Sequence, residues 1–188
     1  MVQGILLVYG DVKLNMLTLK ELTSENHKIA ENHVFTKLLL SGKITKQIYA
    51  TYLANQLQQY SILESKAVSL LNKLPGIYRT HLILQDLVEL NTSAIVFQTT
   101  VEYFNRIIKL NSNELWSHIY TKHMGDLYGG QIIKSKVPGS GKMYQFNNRL
   151  DLINNLRSNL DLNMATEANW CFKSTIDLFD NIANEYNL

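Results

Sequence analysis

An all-α fold is predicted by three features of the sequence. Apolar residues recur at three-four spacing rather than in alternation, and only Pro75 and Pro138 interrupt the 188 residues. Hydrophobic residues make up 46% and charged residues 18%, so the chain suits a packed core rather than a disordered segment or a coiled coil. Its length fits a single domain able to bury that core without disulfide or metal staples.

The elements follow in order. Thr18-Leu19-Lys20-Glu21 has the spacing of a capping box and opens a first helix running towards Gly42, with His27, Ala30, Glu31, Val34 and Leu38 on one face. A long second helix spans about Thr45 to Leu74. Its stripe of Ile48, Tyr52, Leu53, Leu57, Tyr60, Leu63, Ala67 and Leu71 ends before Pro75-Gly76. Shorter helices are predicted from Arg79 to Leu90 and from Ser93 to Leu110, and another from near Asn113 past Gly125. Val137-Pro138-Gly139-Ser140-Gly141 is a loop. Helices near Asn147–Leu160 and Thr166–Tyr186 bring the count to about seven. Residues 1–15 match nothing around them and are read as an extension, with Met16 a candidate functional start and 16–188 the domain.

Charge and cysteine content exclude several function classes. A net charge of +2 is too small for a phosphate-tracking surface, so no nucleic-acid partner is expected. The single Cys171 has no internal partner, and no CxxC pair is present, which fits a reducing cytoplasm. The apolar run Ile5–Tyr9 is short and follows no positive segment, so it reads as neither signal peptide nor anchor, and no membrane partner is expected.

Two features carry chemistry. Gly125-Asp126-Leu127-Tyr128-Gly129-Gly130-Gln131 lies inside a helical pattern, where each glycine costs about 1 kcal/mol relative to alanine. Close approach of a ligand to bare backbone would account for that cost. Gly125 and Gly129, four apart, share a face against which a flat ligand could lie, with the Asp126 carboxylate at its edge able to hold water over a metal centre. A loop or a Gly-Gly helix end is the alternative. A phosphate loop is not, since no Gly-Lys-Ser/Thr follows. The second feature is His27 with Glu31 one turn later, a metal-ligating imidazole with its orienting carboxylate or else an ordinary surface pair. A di-iron carboxylate bundle needs two Glu-x-x-His motifs, and no Glu precedes any of the five histidines by three residues. Cys171, in Trp170-Cys171-Phe172, reads as a packing thiol.

The segment Tyr120-Thr121-Lys122-His123-Met124-Gly125-Asp126-Leu127-Tyr128-Gly129-Gly130-Gln131 resembles the distal-helix signature of the haem oxygenases, typically Y-T-R-Y-L-G-D-L-S-G-G-Q. Leu19 to Asn32 is similar to the family's proximal helix, with His27 at the iron ligand and Glu31 at its usual partner. Tyr60 and Glu64 fall at the family's spacing, Gln85-Asp86-Leu87 echoes a shared stretch, and Ala168 to Phe179 resembles the closing helix. The likeness runs from about Leu19 to the C-terminus. His123 and Tyr128 stand where the family usually has an aromatic and a small residue, Ser24 where it often has a basic one, and the join between the last two helices is shorter.

The resemblance implies a haem-oxygenase-like bundle holding haem b, both substrate and cofactor, between the proximal and distal helices. It implies catalytic roles for Asp126, Gly125 and Tyr60. His27 would ligate the iron, and Glu31, Lys20, Thr23, Tyr120, Gly125, Gly129, Gly130, Phe172, Arg149 and Arg157 would complete the binding site, with Lys20 the best-matched propionate partner. Dioxygen is the implied co-substrate, and biliverdin, ferrous iron and carbon monoxide are the products. Electrons must come from an external donor, since the chain has no dinucleotide or flavin motif. A ferredoxin-type donor, a downstream bilin reductase, a monomer and a cytoplasmic location are expected. Two rivals are a non-catalytic haem carrier on the same scaffold and a haem-free, thiaminase-type hydrolase, which would need an exposed reactive cysteine.

Overall fold

The computed structural model describes residues 18–188; the expectations for residues 1–15 and Met16 lie outside them. The chain enters on a capping box: Glu21 N–H donates to Thr18 Oγ1 at 3.3 Å, and Thr18 N–H donates to the Glu21 carboxylate at 2.6 Å. The stretch read as one helix is three: α1 (Leu19–Leu22), α2 (Ser24–Asn32) and α3 (Val34–Ser41). The second break falls at His33, which adopts extended φ/ψ and caps α3 by accepting the Phe35 N–H on Nδ1 at 3.1 Å. That break turns Phe35 and Leu39 into the core in place of Val34, which is exposed. Gly42, in the left-handed conformation at φ 73°, ends the run as predicted.

Thr45 caps α4 (Lys46–Lys66), and α5 (Val68–Leu71) follows after Ala67. Then come α6 (Thr80–Leu90), α7 (Gln98–Ile107), α8 (Ser112–Tyr128), α9 (Gly130–Ile133), α10 (Arg149–Arg157) and α11 (Ala165–Tyr186). Two 3-10 turns, Lys142–Tyr144 and Leu162–Met164, complete the described residues. Joining α1–α3, α4–α5 and α8–α9 across their breaks recovers the seven predicted bodies.

The apolar stripe on α4 was only half of its burial. The helix packs on α6, α7, α8 and α11, so its polar residues Asn55, Gln56, Gln59 and Glu64 are buried as well. Each engages a neighbour through at least one polar atom, although Gln59 Nε2 has no partner among the described residues. Asn55 Oδ1 accepts from Phe97 N–H at 2.9 Å and from Thr100 Oγ1 at 2.7 Å, while its Nδ2 donates to Ile95 O at 2.8 Å. These bonds hold residues 93–97 extended, so α7 begins at Gln98 rather than Ser93. Glu64 accepts the backbone N–H groups of Arg79 and Thr80 and so caps α6. Asp86 accepts Lys142 and Met143 N–H, each at 2.8 Å, pinning the 3-10 turn against α6.

Candidate active site

Gly125 stands inside α8, and Gly129 and Gly130 lie at the α8–α9 junction, where the backbone stays helical. Gly129 keeps right-handed helical φ/ψ, its N–H donates to Gly125 O at 2.8 Å, and Lys134 N–H reaches Gly130 O at 2.8 Å. The loop reading is therefore set aside, while Gly129 closes α8 as its C-cap without interrupting the helical path. A methyl built on Gly125 would meet nothing within 4 Å, and on Gly129 only Gly125 O, at 3.2 Å. Gly130 differs from its predicted role: it is buried, and a methyl there would lie 2.4 Å from the Tyr144 ring. Its missing side chain makes room for Tyr144, and the bare, open flank belongs to Gly125 and Gly129.

Asp126 projects from the same helix into the interior and is 8% exposed. Tyr60 Oη on α4 donates to its Oδ2 at 2.5 Å. Oδ1 has no hydrogen bond among the described residues, yet it is not sealed from solvent. Burial raises the Asp126 carboxyl to about 6, against the opposing pull of the Tyr60 hydrogen bond and of the Lys122 and Arg79 cations. Burial and the same carboxylate push the Tyr60 hydroxyl far up, so it stays a donor.

Sequence reasoning missed the charges that surround this pair. Lys122 is buried, donates to Gln56 Oε1 at 2.9 Å and Gln59 Oε1 at 2.8 Å, and sits 4.9 Å from the Tyr60 ring centroid. Arg79 is buried too, its guanidinium spent on the carbonyls of Gly76, Ile77, Met143 and Gln145. The signal for Lys122 was its place in the glycine motif; Arg79 carried none. A third buried group joins α7, α8 and α11. Glu167 accepts His118 Nε2 at 2.9 Å and Arg106 Nε at 3.0 Å, and these donors outweigh burial to hold its carboxyl at about 2. His118 also meets Tyr103 Oη, at 3.1 Å, and touches Cys171, which is buried as predicted.

His27 on α2 is half exposed. Its Nδ1 lies 3.3 Å from Glu31 Oε2, and Nε2 has no partner among the described residues. Phe172 of α11 meets the imidazole edge-on, with centroids 5.6 Å apart. α11 packs on both α2 and α8, which have little contact with each other, so the two helices stand on a common floor. An imidazole with a carboxylate beside one nitrogen and the other nitrogen free, above that floor, fits a metal-centred ligand, and the bare flank of Gly125 and Gly129 fits a flat one.

The remaining predicted residues scatter. Lys20 is exposed on α1. Thr23 does not present its hydroxyl: it is buried and donates to Leu19 O at 2.9 Å, closing the α1–α2 junction. Tyr120 is half-buried against the core. Arg149 donates to Leu127 O at 2.9 Å and Arg157 to Tyr128 Oη at 2.8 Å, so both arginines reach the end of α8 that carries the glycines.

Comparison with known proteins bears on the same residues. The family model described as Heme oxygenase matches residues 15–181. Heme oxygenase of the red alga Porphyra purpurea is 32% identical over 202 residues, covering 87% of this chain and 84% of that one. Heme oxygenase of Rhodella violacea is 28% identical, covering 90% and 87%. The fold is similar to heme oxygenase-1 of Synechocystis sp. PCC6803 in complex with heme, with TM-score 0.77 and 22% identity over 89% of this chain and 91% of that one. It is similar also to heme oxygenase of Leptospira interrogans, with TM-score 0.76 and 26% identity over 87% and 97%. With the family model matching nearly the whole described chain and a relative 32% identical over most of both lengths, this chain belongs to the heme oxygenase family.

Proposed function

We propose that this chain opens the haem ring with dioxygen and electrons from an external donor, holding haem between α2 and α8. Haem, when bound, supplies the iron that activates dioxygen and is itself the ring that is cut to biliverdin, ferrous iron and carbon monoxide. His27 Nε2 would hold the haem iron, with the Glu31 carboxylate beside Nδ1 orienting the imidazole. The Gly125–Gly129 flank admits the flat face of the ring, and Phe172 supports the imidazole from α11. Lys20, Arg149 and Arg157 are the cations available to the two propionates, and Tyr120 stands on the same helix as the glycines.

Proton delivery falls to Asp126. A carboxyl raised to about 6 exchanges protons readily near neutral pH. Tyr60 occupies Oδ2, leaving Oδ1 to hold a water at the open side of the helix. Lys122 and Arg79, fixed on neutral acceptors, keep the ionised form accessible at that depth. The observation that carries this reading is the buried Tyr60–Asp126 pair beside a glycine flank with nothing against it.

An acidic, ferredoxin-type protein suits the donor role, because the exposed basic residues near the site complement it. A bilin reductase downstream, a monomeric state and the cytoplasm complete the proposal. Asp126→Ala tests it. The variant should bind haem with near-normal affinity, form less biliverdin with reductant in air, and gain peroxidase activity with hydrogen peroxide. Biliverdin formation at the unaltered rate would remove Asp126 from the mechanism.

A further inference from the structure

His123 follows Lys122 on α8 and is fully buried. Its Nδ1 lies 3.0 Å from the carbonyl oxygen of Ile119, one turn back. A carbonyl only accepts, so Nδ1 carries the ring proton and Nε2 presents a lone pair. That lone pair has no hydrogen-bond partner and no access to solvent. The imidazole stands at 89° to the Tyr60 ring, with centroids 5.1 Å apart. Burial, with Lys122 and Arg79 nearby, keeps the ring neutral by pushing its pKa down to about 3, so Nε2 remains an acceptor.

A buried acceptor left empty is costly, and an ordered water is the usual remedy. The neighbouring Tyr60 ring carries a group that such a water can also reach. Tyr60 spends its only proton on Asp126, so Tyr60 Oη still has lone pairs to offer. A water that donates one hydrogen to His123 Nε2 has a second for that oxygen.

We infer that His123 is a positioning residue: its Nε2 binds a buried water that donates onward to Tyr60 and so fixes the Tyr60–Asp126 pair. The inference rests on the reading of Asp126 as the proton-delivering group. His123 itself touches neither haem nor the reacting atoms. Histidine is the residue by which this chain departs from the aromatic usual at that position, and it places a neutral imidazole acceptor there.

The first test uses haem-free protein labelled with nitrogen-15 in histidine. Nδ1 of His123 should be protonated, and Nε2 unprotonated with the shift of a hydrogen-bonded nitrogen. A protonated Nε2, or a shift typical of a free lone pair, overturns the inference. The second uses haem-loaded variants. His123→Phe keeps a ring but removes the acceptor, and it should lower biliverdin formed per dioxygen consumed by about five- to tenfold, the scale of one water-mediated hydrogen bond. Its haem affinity should not change, and its solvent isotope effect on turnover should. His123→Gln, which returns an acceptor near the same place, should recover yield to within about twofold. Yield and isotope effect unchanged in His123→Phe overturn the inference; if that variant does not fold, the nitrogen shift of the unaltered protein decides. Asp126→Ala, run in parallel, separates the two readings: full activity there defeats the role of Asp126 while leaving the bound water to the nitrogen measurement.

Discussion

His27 and Asp126 sit in opposite environments, and each suits its task for that reason. His27 is half exposed, with Nδ1 3.3 Å from the Glu31 carboxylate and Nε2 free among the described residues. Removing it should cost the fold no more than about 0.5 kcal/mol, as for other surface positions. His27→Ala should therefore melt close to the unaltered protein while losing the axial ligand and with it haem oxidation. An unchanged haem spectrum with full activity would contradict the assignment. His33, His81, His118 and His123 should be dispensable as ligands, although His118→Ala should destabilise the chain by leaving Glu167 short of a partner. Asp126 is buried, and its folded pKa, raised to about 6, lies above the unfolded value. Folding thus favours its protonated form, so its contribution is most favourable below about pH 4 and declines as pH rises through 6. Asp126→Asn in haem-free protein should match the parent at pH 4 and exceed it by about 1–3 kcal/mol at pH 7, read by chemical denaturation. A difference independent of pH would contradict the buried, raised carboxyl.

At the scale of elements, α8 and α9 separate glycines kept for a ligand from one kept for packing. Gly125→Ala should stabilise the haem-free protein by about 0.5–1 kcal/mol, because the site is open and alanine favours helix. Gly130→Ala should cost about 1–3 kcal/mol, since Tyr144 occupies the space. Gly129→Leu should weaken haem binding or shift the position at which the ring is cut. Normal haem affinity and product in Gly129→Leu would mean that the strip faces away from the ligand. Spacing showed that Gly125 and Gly129 share a face, whereas the family resemblance assigned Gly130 to the same ligand. The difference lies in Tyr144, fourteen positions on in sequence and brought across by the 3-10 turn that Asp86 pins. The break at His33 was equally illegible, because histidine as a helix cap has no strong sequence signature.

For the whole molecule, hydrophobic periodicity located seven helical bodies, since periodicity reports which faces are buried, and the Pro-Gly-Ser-Gly run located the loop between Val137 and Gly141. It failed where burial is complete. α4 lies amid α6, α7, α8 and α11, and the partners of its buried polar residues come from distant segments: Asn55 holds residues 93–97, Glu64 caps α6, and Gln56 and Gln59 seat Lys122. No helix among the described residues is long and apolar enough to cross a membrane. Two functions are compatible with such a frame around His27, oxidation of haem and its mere carriage, and they differ in whether the buried Tyr60–Asp126 pair delivers protons. Absorbance of the haem-reconstituted protein, followed during reduction in air, separates them. The Soret band should bleach while biliverdin and carbon monoxide accumulate. A Soret band that persists under reductant and oxygen, with no bile pigment formed, would show a haem carrier and contradict ring opening by this chain.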